Sequence, residues 1–235
     1  MKEALVLFSG GKDSLLSTVR YLDNGYKVYL VTYDNSCGLG MKNVKSTINR
    51  LIKKYGNDRI EFIGTKDISA IFRNFIEPFY NYKFDYIIEK FGVITISQFN
   101  CLSCRMAMYV ASIIICKQKN INIVVDGARI CQLFAIEQEE MLNKFTIFFD
   151  EYDLKIDYPV KNIDNDWDLK NELLMRGIIP KTIEPQCLLG CPINKDNINE
   201  ELINSISNVY EKYLKEKAIK IIDNYSSINI CEAFI

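Results

Sequence analysis

The first residues able to do chemistry form one unbroken run, Ser9-Gly10-Gly11-Lys12-Asp13-Ser14. Two glycines let a turn of backbone bring several N–H groups close to an anion, Lys12 adds a cation, and Ser9 and Ser14 offer hydroxyls to phosphate oxygens or to a hydrated magnesium ion. Asp13 is placed to cap the N–H groups of a helix that begins there. The second group is thiols. Cys101-Leu102-Ser103-Cys104 is a Cys-x-x-Cys, expected at the start of a helix, and Cys187 and Cys191 follow Pro180 and Pro185 in a loop-like stretch. Three or four thiolates suit a soft-metal centre, either an iron–sulfur cluster or a structural zinc. A Cys at a helix N-terminus equally suits persulfide or disulfide chemistry, and buried cysteine can simply pack. Spacing alone leaves these three readings open. Cys37, Cys116, Cys131 and Cys231 have no comparable spacing, and Cys116 sits in an apolar stretch that reads as core.

A third group is Asp126 and Arg129 in Val125-Asp126-Gly127-Ala128-Arg129. At the end of a buried strand, Asp126 is suited to magnesium and Arg129 to stabilising an anionic leaving group. Glu137, Glu139 and Glu140 read as the solvated face of a helix. Chemistry is also excluded: the chain of 235 residues holds no histidine, so Ser-His-Asp triads, Cys-His dyads and His-bearing zinc sites are ruled out. With 29 Lys plus Arg against 30 Asp plus Glu, no global charge steers the protein to nucleic acid or membrane. Any RNA contact must be a local patch.

The elements that position these groups are legible in the hydrophobic pattern. An apolar run over 4–8 stops at the glycine pair and reads as a strand buried on both faces. A helix over 13–23 follows, then a strand over 26–33, a helix over 44–55 and a strand over 60–63. This alternation predicts an α/β fold: a Rossmann-like parallel sheet with helices on both faces. Residues 68–91 have helical period, 101–116 read as another helix, 121–125 as a fourth strand, and 169–176 as a helix. A long helix over 200–223 carries Ile203, Ile206, Tyr210, Tyr213 and Ile221 on one face, a packing surface in type. The expected division is an α/β domain over 1–195 with the cysteine-rich site and a C-terminal helical segment over 196–235. With 49% hydrophobic residues the chain can bury one sizeable core. No signal-peptide pattern opens it and no apolar run reaches the span of a bilayer, so a cytoplasmic protein with no membrane partner is expected, and its cysteines are not a disulfide framework.

Ser-Gly-Gly-Lys-Asp-Ser directly after the first strand resembles the Ser-Gly-Gly-x-Asp-Ser signature of the PP-loop ATP pyrophosphatases, the adenine nucleotide alpha hydrolase-like enzymes. A Walker A spacing is missing. The resemblance implies ATP bound over Ser9 to Ser14, cleavage between the α and β phosphates, and transfer of AMP to a carbonyl oxygen. It also implies adenosine near the ends of the first strands, at Tyr33 and Asp34. A PP-loop followed by Cys-x-x-Cys-Arg, and later by a cysteine after a proline, looks like the tRNA 2-thiocytidine synthetase and related thiolation enzymes. That resemblance implies a 4Fe-4S cluster on Cys101, Cys104 and Cys187, with Cys191 as a fourth ligand or a catalytic thiol. The expected function is then an ATP- and magnesium-dependent sulfurtransferase that adenylates a carbonyl of a tRNA base or a small metabolite and replaces oxygen with sulfur. A sulfur donor protein and a homodimer belong to the same expectation. Two other readings stand beside it: a nitrogen-inserting ligase similar to 7-cyano-7-deazaguanine synthase with zinc on the four cysteines, and a non-enzymatic adenine-nucleotide sensor.

Overall fold

The computed structural model describes residues 1–39, 44–81, 83–180, 186–187 and 197–225. In chain order the elements are β1 (Glu3–Leu7), α1 (Lys12–Asp23), β2 (Lys27–Asp34), β3 (Gly38–Leu39), α2 (Val44–Tyr55), β4 (Ile60–Asp67), α3 (Ser69–Tyr80), α4 (Phe84–Phe91) and α5 (Ile96–Lys119). They continue with β5 (Ile123–Val125), α6 (Glu139–Asp150), β6 (Lys155–Asp157), α7 (Asp166–Met175), β7 (Gln186–Cys187), α8 (Glu200–Val209) and α9 (Lys215–Tyr225), a π-turn over Tyr210–Leu214 joining the last two. Five strands form one parallel sheet in the order β4-β2-β1-β5-β6. The expected Rossmann-like sheet is present, and the order reverses direction between β1 and β5.

Alternation along β1 builds the two layers. Leu5 and Leu7 face a core shared with α3, α4, α5, α6, α8 and α9, whereas Ala4, Val6 and Phe8 face a second core shared with α1, α2 and α7. Strand β1 is covered on both sides, which is why it reads as a continuous apolar run. Ile206, Val209, Tyr210, Leu214 and Ile222 of the C-terminal helices lie in the first core with α5.

Several elements depart from their expected bounds. Strand β4 runs on to Asp67 because Thr65 to Asp67 pair with Thr32 to Asp34, after a bulge between Leu30 and Val31 that lets Gly64 follow Phe62 in register. Strand β6 has only Ile156 buried among its three residues, so no apolar run announces it. Helix α5 starts at Ile96, not Cys101: Thr95 and Gln98 form a capping box, with the Gln98 N–H donating to Thr95 Oγ1 at 3.2 Å and the Thr95 N–H to Gln98 Oε1 at 2.9 Å. Such a cap is worth about 1 kcal/mol and decides the boundary. At 24 residues α5 is also long and apolar enough to cross a membrane, contrary to the expectation that no segment is, but it is mostly buried inside the protein as a core helix.

Candidate active site

The candidate phosphate site lies at the ends of β1 and β5, where the strand order reverses and open parallel sheets bind ligands. Gly10 takes a φ of +80°, a conformation that a side chain disfavours, and turns the chain from β1 into α1. Gly11 is the N-cap of α1 and makes no side-chain cap, so capping the first turn is left to a ligand. Asp13, the second residue of the helix, stands among charged neighbours. It pairs with Arg129, whose Nε lies 2.5 Å from Asp13 Oδ1, and accepts from Gln132 Nε2 at 3.2 Å. Ser14 Oγ donates to the Gly11 carbonyl at 3.1 Å and stands 3.2 Å from Ser9 Oγ, so both hydroxyls brace the loop from within.

Asp126-Gly127 leaves β5 directly against this loop. A Cβ on Gly127 would stand 2.9 Å from Ser14 N and 3.0 Å from the carbonyl carbon of Asp13. Backbone cannot yield cheaply, so Gly127→Ala is expected to push the PP-loop out of register at about 1–3 kcal/mol, weakening ATP binding roughly 10- to 100-fold. An equilibrium ATP titration measures it, and unchanged affinity would show that the loop accommodates the methyl group.

Arg129 is 2% exposed, so it is not a surface residue. Its Nη2 donates to Asp166 Oδ1 at 2.5 Å, and Lys12 Nζ stands 3.3 Å from Asp166 Oδ2. Its buried Nη1 has no hydrogen-bond partner among the described residues, which leaves a cationic donor unspent beside the loop. Burial works to raise the Asp166 carboxyl, but Arg129 and Lys12 outweigh it and hold the group below the ordinary aspartate range. Asp166 was not singled out from sequence; it is the first residue of α7 and reaches the loop only through the fold.

A second ionic group lies behind Asp126. Arg105 donates from Nη1 to Asp126 Oδ2 and from Nη2 to Glu137 Oε1, the latter at 2.6 Å, and Tyr109 Oη donates to the same Asp126 oxygen at 2.7 Å. Glu137 Oε2 accepts the Arg129 backbone N–H at 3.4 Å. Glu137 is thus buried, correcting the solvated face expected for it; a short 3-10 turn, not a helix surface, carries it inward. Burial raises its carboxyl, Arg105 opposes, Asp126 adds repulsion, and the net shift is upward.

One cavity of about 310 Å³ unites these groups with the thiols. Its lining includes Ser9, Asp13, Ser14, Tyr33, Asp126 and Gln132 together with Cys104 and Cys187. Tyr33 is held there by a 2.8 Å hydrogen bond between its hydroxyl and Ser112. Asp34 does not line the cavity; its carboxylate accepts the Ser36 N–H at 2.8 Å and makes a turn. Cys101 is outside the lining as well, and Cys191 lies outside the described residues.

The two cysteines of the Cys-x-x-Cys sit five and eight residues inside α5, not at its N-terminus, so the helix end does not activate them. Burial dominates at Cys104, with the neighbouring Cys187 adding to it and Asn35 and Arg105 opposing, and the thiol is pushed up to about 12. Asn35 Nδ2 donates to its sulfur at 3.1 Å. Cys37, set aside for lack of spacing, is brought next to Cys187 because Gly38 pairs with Cys187 across β3 and β7. Among the described residues, no three Cys, Asp or Glu side chains converge as a metal site would require.

A parallel α/β sheet with an uncapped Ser-Gly-Gly-Lys-Asp-Ser turn at its switch point defines a protein of the PP-loop ATP pyrophosphatase class. Within that class, the family model described as Thiamine biosynthesis protein (ThiI) matches residues 1–137, and the chain belongs to this family. A 4-thiouridine synthetase, solved as an RNA complex with bound ATP, superposes with a TM-score of 0.63 at 15% identity, covering 97% of this chain and 54% of that one. The chain therefore spans about half the length of that synthetase, and the likeness is one of fold. A predicted subunit of tRNA methyltransferase from Methanocaldococcus jannaschii gives a TM-score of 0.44 at 16% identity, over 82% of this chain and 99% of that one. No curated protein matches.

Proposed function

We propose that the protein is an ATP-dependent sulfurtransferase that adenylates a carbonyl oxygen of a tRNA base and replaces that oxygen with sulfur. The observation that carries this reading is the single cavity in which the PP-loop and the thiols of Cys104 and Cys187 meet. Activation and sulfur delivery need a common space, because an adenylate that diffuses before sulfur arrives is hydrolysed. The solved neighbour is described as a 4-thiouridine synthetase with RNA and ATP, which favours tRNA over a small metabolite as the acceptor.

In this reading the backbone of Gly10 and Gly11, with Lys12, holds the phosphates. Asp126 supplies a hard carboxylate oxygen to the magnesium that accompanies ATP, and Arg129 offers charge to the departing pyrophosphate. The acceptor oxygen attacks the α-phosphorus and pyrophosphate leaves. An AMP ester is a far better leaving group than a carbonyl oxygen, so sulfur can then displace it. Among the described residues no three thiols gather at one point, and Cys191 lies outside them, so the sulfur steps of this scheme use no cluster or zinc on the cysteines. Sulfur instead arrives as a persulfide on Cys187, handed over by a donor protein. Its terminal sulfur bonds to the adenylated carbon and AMP departs with the oxygen. The Cys104 thiol then attacks Cys187 Sγ, breaking the bond to the transferred sulfur and closing a disulfide; an external thiol reductant restores the pair. All of these steps are at home in the cytoplasm.

The direct test incubates the protein with ATP, magnesium, bulk tRNA and a persulfide donor, following pyrophosphate release and thiolated nucleoside together. Pyrophosphate release that depends on tRNA, with sulfur in the tRNA, is the expected result; release with a small carbonyl compound but not tRNA would reassign the acceptor, and none with either would reject the enzyme. A filter-binding series with tRNA adds a separate expectation. Affinity should fall linearly in log–log form with salt, with a shallow slope of roughly −3 to −5, because a chain of balanced charge can offer only a local patch of phosphate contacts.

A further inference from the structure

Arg105 immediately follows Cys104 on α5 and lines the same cavity, and its side chain is spent on two carboxylates. There it is the hub of a buried network. Its two terminal nitrogens each take one carboxylate, Asp126 and Glu137, and the Tyr109 hydroxyl joins on the same Asp126 oxygen. Glu137 continues the chain of contacts to the backbone of Arg129, whose side chain pairs with Asp13 of the PP-loop. Arg105 and Tyr109, one turn apart on α5, therefore each give one donor to Oδ2 of Asp126. Both side-chain hydrogen bonds of Asp126 fall on Oδ2 and neither on Oδ1, and Asp126 lines the cavity. A guanidinium fork is suited to this task where a lysine is not, since it can address two carboxylates in fixed directions at once.

We propose that Arg105 is a positioning residue that clamps Asp126 and Glu137, so that Oδ1 of Asp126 faces the ATP phosphates and the cysteine helix keeps a fixed relation to the PP-loop. This rests on the reading of the cavity as an adenylation site. The arrangement explains how one helix serves two halves of a reaction. The segment that carries the Cys104 sulfur also sets the carboxylate that meets the metal of the nucleotide, so the two cannot drift apart independently. A merely structural buried arginine would stabilise the fold without affecting how magnesium contributes to ATP binding.

Trp167 makes the test simple. It is the chain's one tryptophan, it is exposed, and it adjoins Asp166, the partner of Lys12 and Arg129, so its emission is expected to change on ATP binding, with equilibrium dialysis as the direct check. ATP is titrated into the wild type, Arg105→Lys, Arg105→Met and Tyr109→Phe, once in EDTA and once in magnesium, and pyrophosphate release is measured alongside in magnesium with bulk tRNA and the persulfide donor present. The wild type is expected to bind ATP about tenfold tighter with magnesium. In Arg105→Met that tightening should shrink to within twofold while the affinity in EDTA stays within threefold, and kcat should fall about 100-fold. Arg105→Lys keeps the charge without the fork and should fall between. Tyr109→Phe removes only the second donor and should cost roughly threefold of the tightening, and it carries the test if Arg105→Met does not fold. Wild-type magnesium dependence in folded Arg105→Met, or in folded Arg105→Lys and Tyr109→Phe together, overturns the proposal. Failure of the wild type to release pyrophosphate would reject the enzymatic reading, while the EDTA-to-magnesium ratio would still judge Arg105.

Discussion

Cys187→Ser is expected to bind ATP within about threefold of the wild type and to lose sulfur transfer by at least 10³-fold, because the sulfur carrier is removed while the phosphate loop is untouched. Cys104→Ser should behave differently. It can still accept a persulfide on Cys187 and attack the adenylate, so one turnover begins, but the adduct between enzyme and acceptor is not resolved and accumulates. Mass spectrometry of the protein after a single turnover distinguishes the two: an acceptor adduct on Cys187 for Cys104→Ser, none for Cys187→Ser, and a Cys104–Cys187 disulfide for the wild type without reductant. Cys101→Ser, outside the cavity lining, should keep activity within a few-fold. If instead Cys101→Ser is as dead as the other two and anaerobically purified wild type carries stoichiometric iron that the variant lacks, the three thiols act as a metal cage and the persulfide scheme is wrong.

How much of this could be read before the fold was known depends on whether a feature is local. The PP-loop is local: a strand, two glycines and a helix in succession, so Ser9 to Ser14 declare both their position and their chemistry. The sheet is nearly so, because strands covered on both faces leave uninterrupted apolar runs, and it is the half-exposed β6, with Ile156 alone buried, that escapes notice. The start of α5 is written in Thr95-Ile96-Ser97-Gln98, a capping box less conspicuous in the sequence than the cysteines that follow it. Arg105, Glu137 and Asp166 belong to a different kind. Each is a charged residue with ordinary surface statistics, and only the packing of α5, the turn after β5 and the start of α7 against one another buries or pairs it. Cys37 is similar, since its place beside Cys187 is made by two-residue strands from segments some 150 positions apart. A sequence pattern can say that a carboxylate exists, but desolvation and partners decide whether it is solvated, paired or held for a ligand.

Arg129→Met is expected to abolish ATP binding and to destabilise the protein, and the reason is the sign of what it leaves behind. The wild-type site holds Lys12 and Arg129 against Asp13 and Asp166, two cations to two anions. Without the guanidinium, two carboxylates remain beside a single lysine, in a place that must receive a polyphosphate. Asp166 is half exposed and relaxes toward water, but the Asp13 side chain is only 19% exposed and cannot. Breaking a buried pair from one side costs about 3–5 kcal/mol, and the exposure of Asp166 brings the expectation to the lower end, about 3 kcal/mol, or roughly 6–12 °C in Tm. ATP affinity should fall by at least 10²-fold, since a favourable contact becomes a repulsive one. The electrostatic cause has its own signature. Adding Asp166→Asn to Arg129→Met removes one of the uncompensated charges, so the double variant should recover part of both the stability and the affinity lost by the single one, a non-additivity that a cavity left by the arginine would not produce. Thermal unfolding and the Trp167-monitored ATP titration read both quantities. A double variant worse than Arg129→Met by the full cost of Asp166→Asn alone would mean that Arg129 acts through its volume and not its charge.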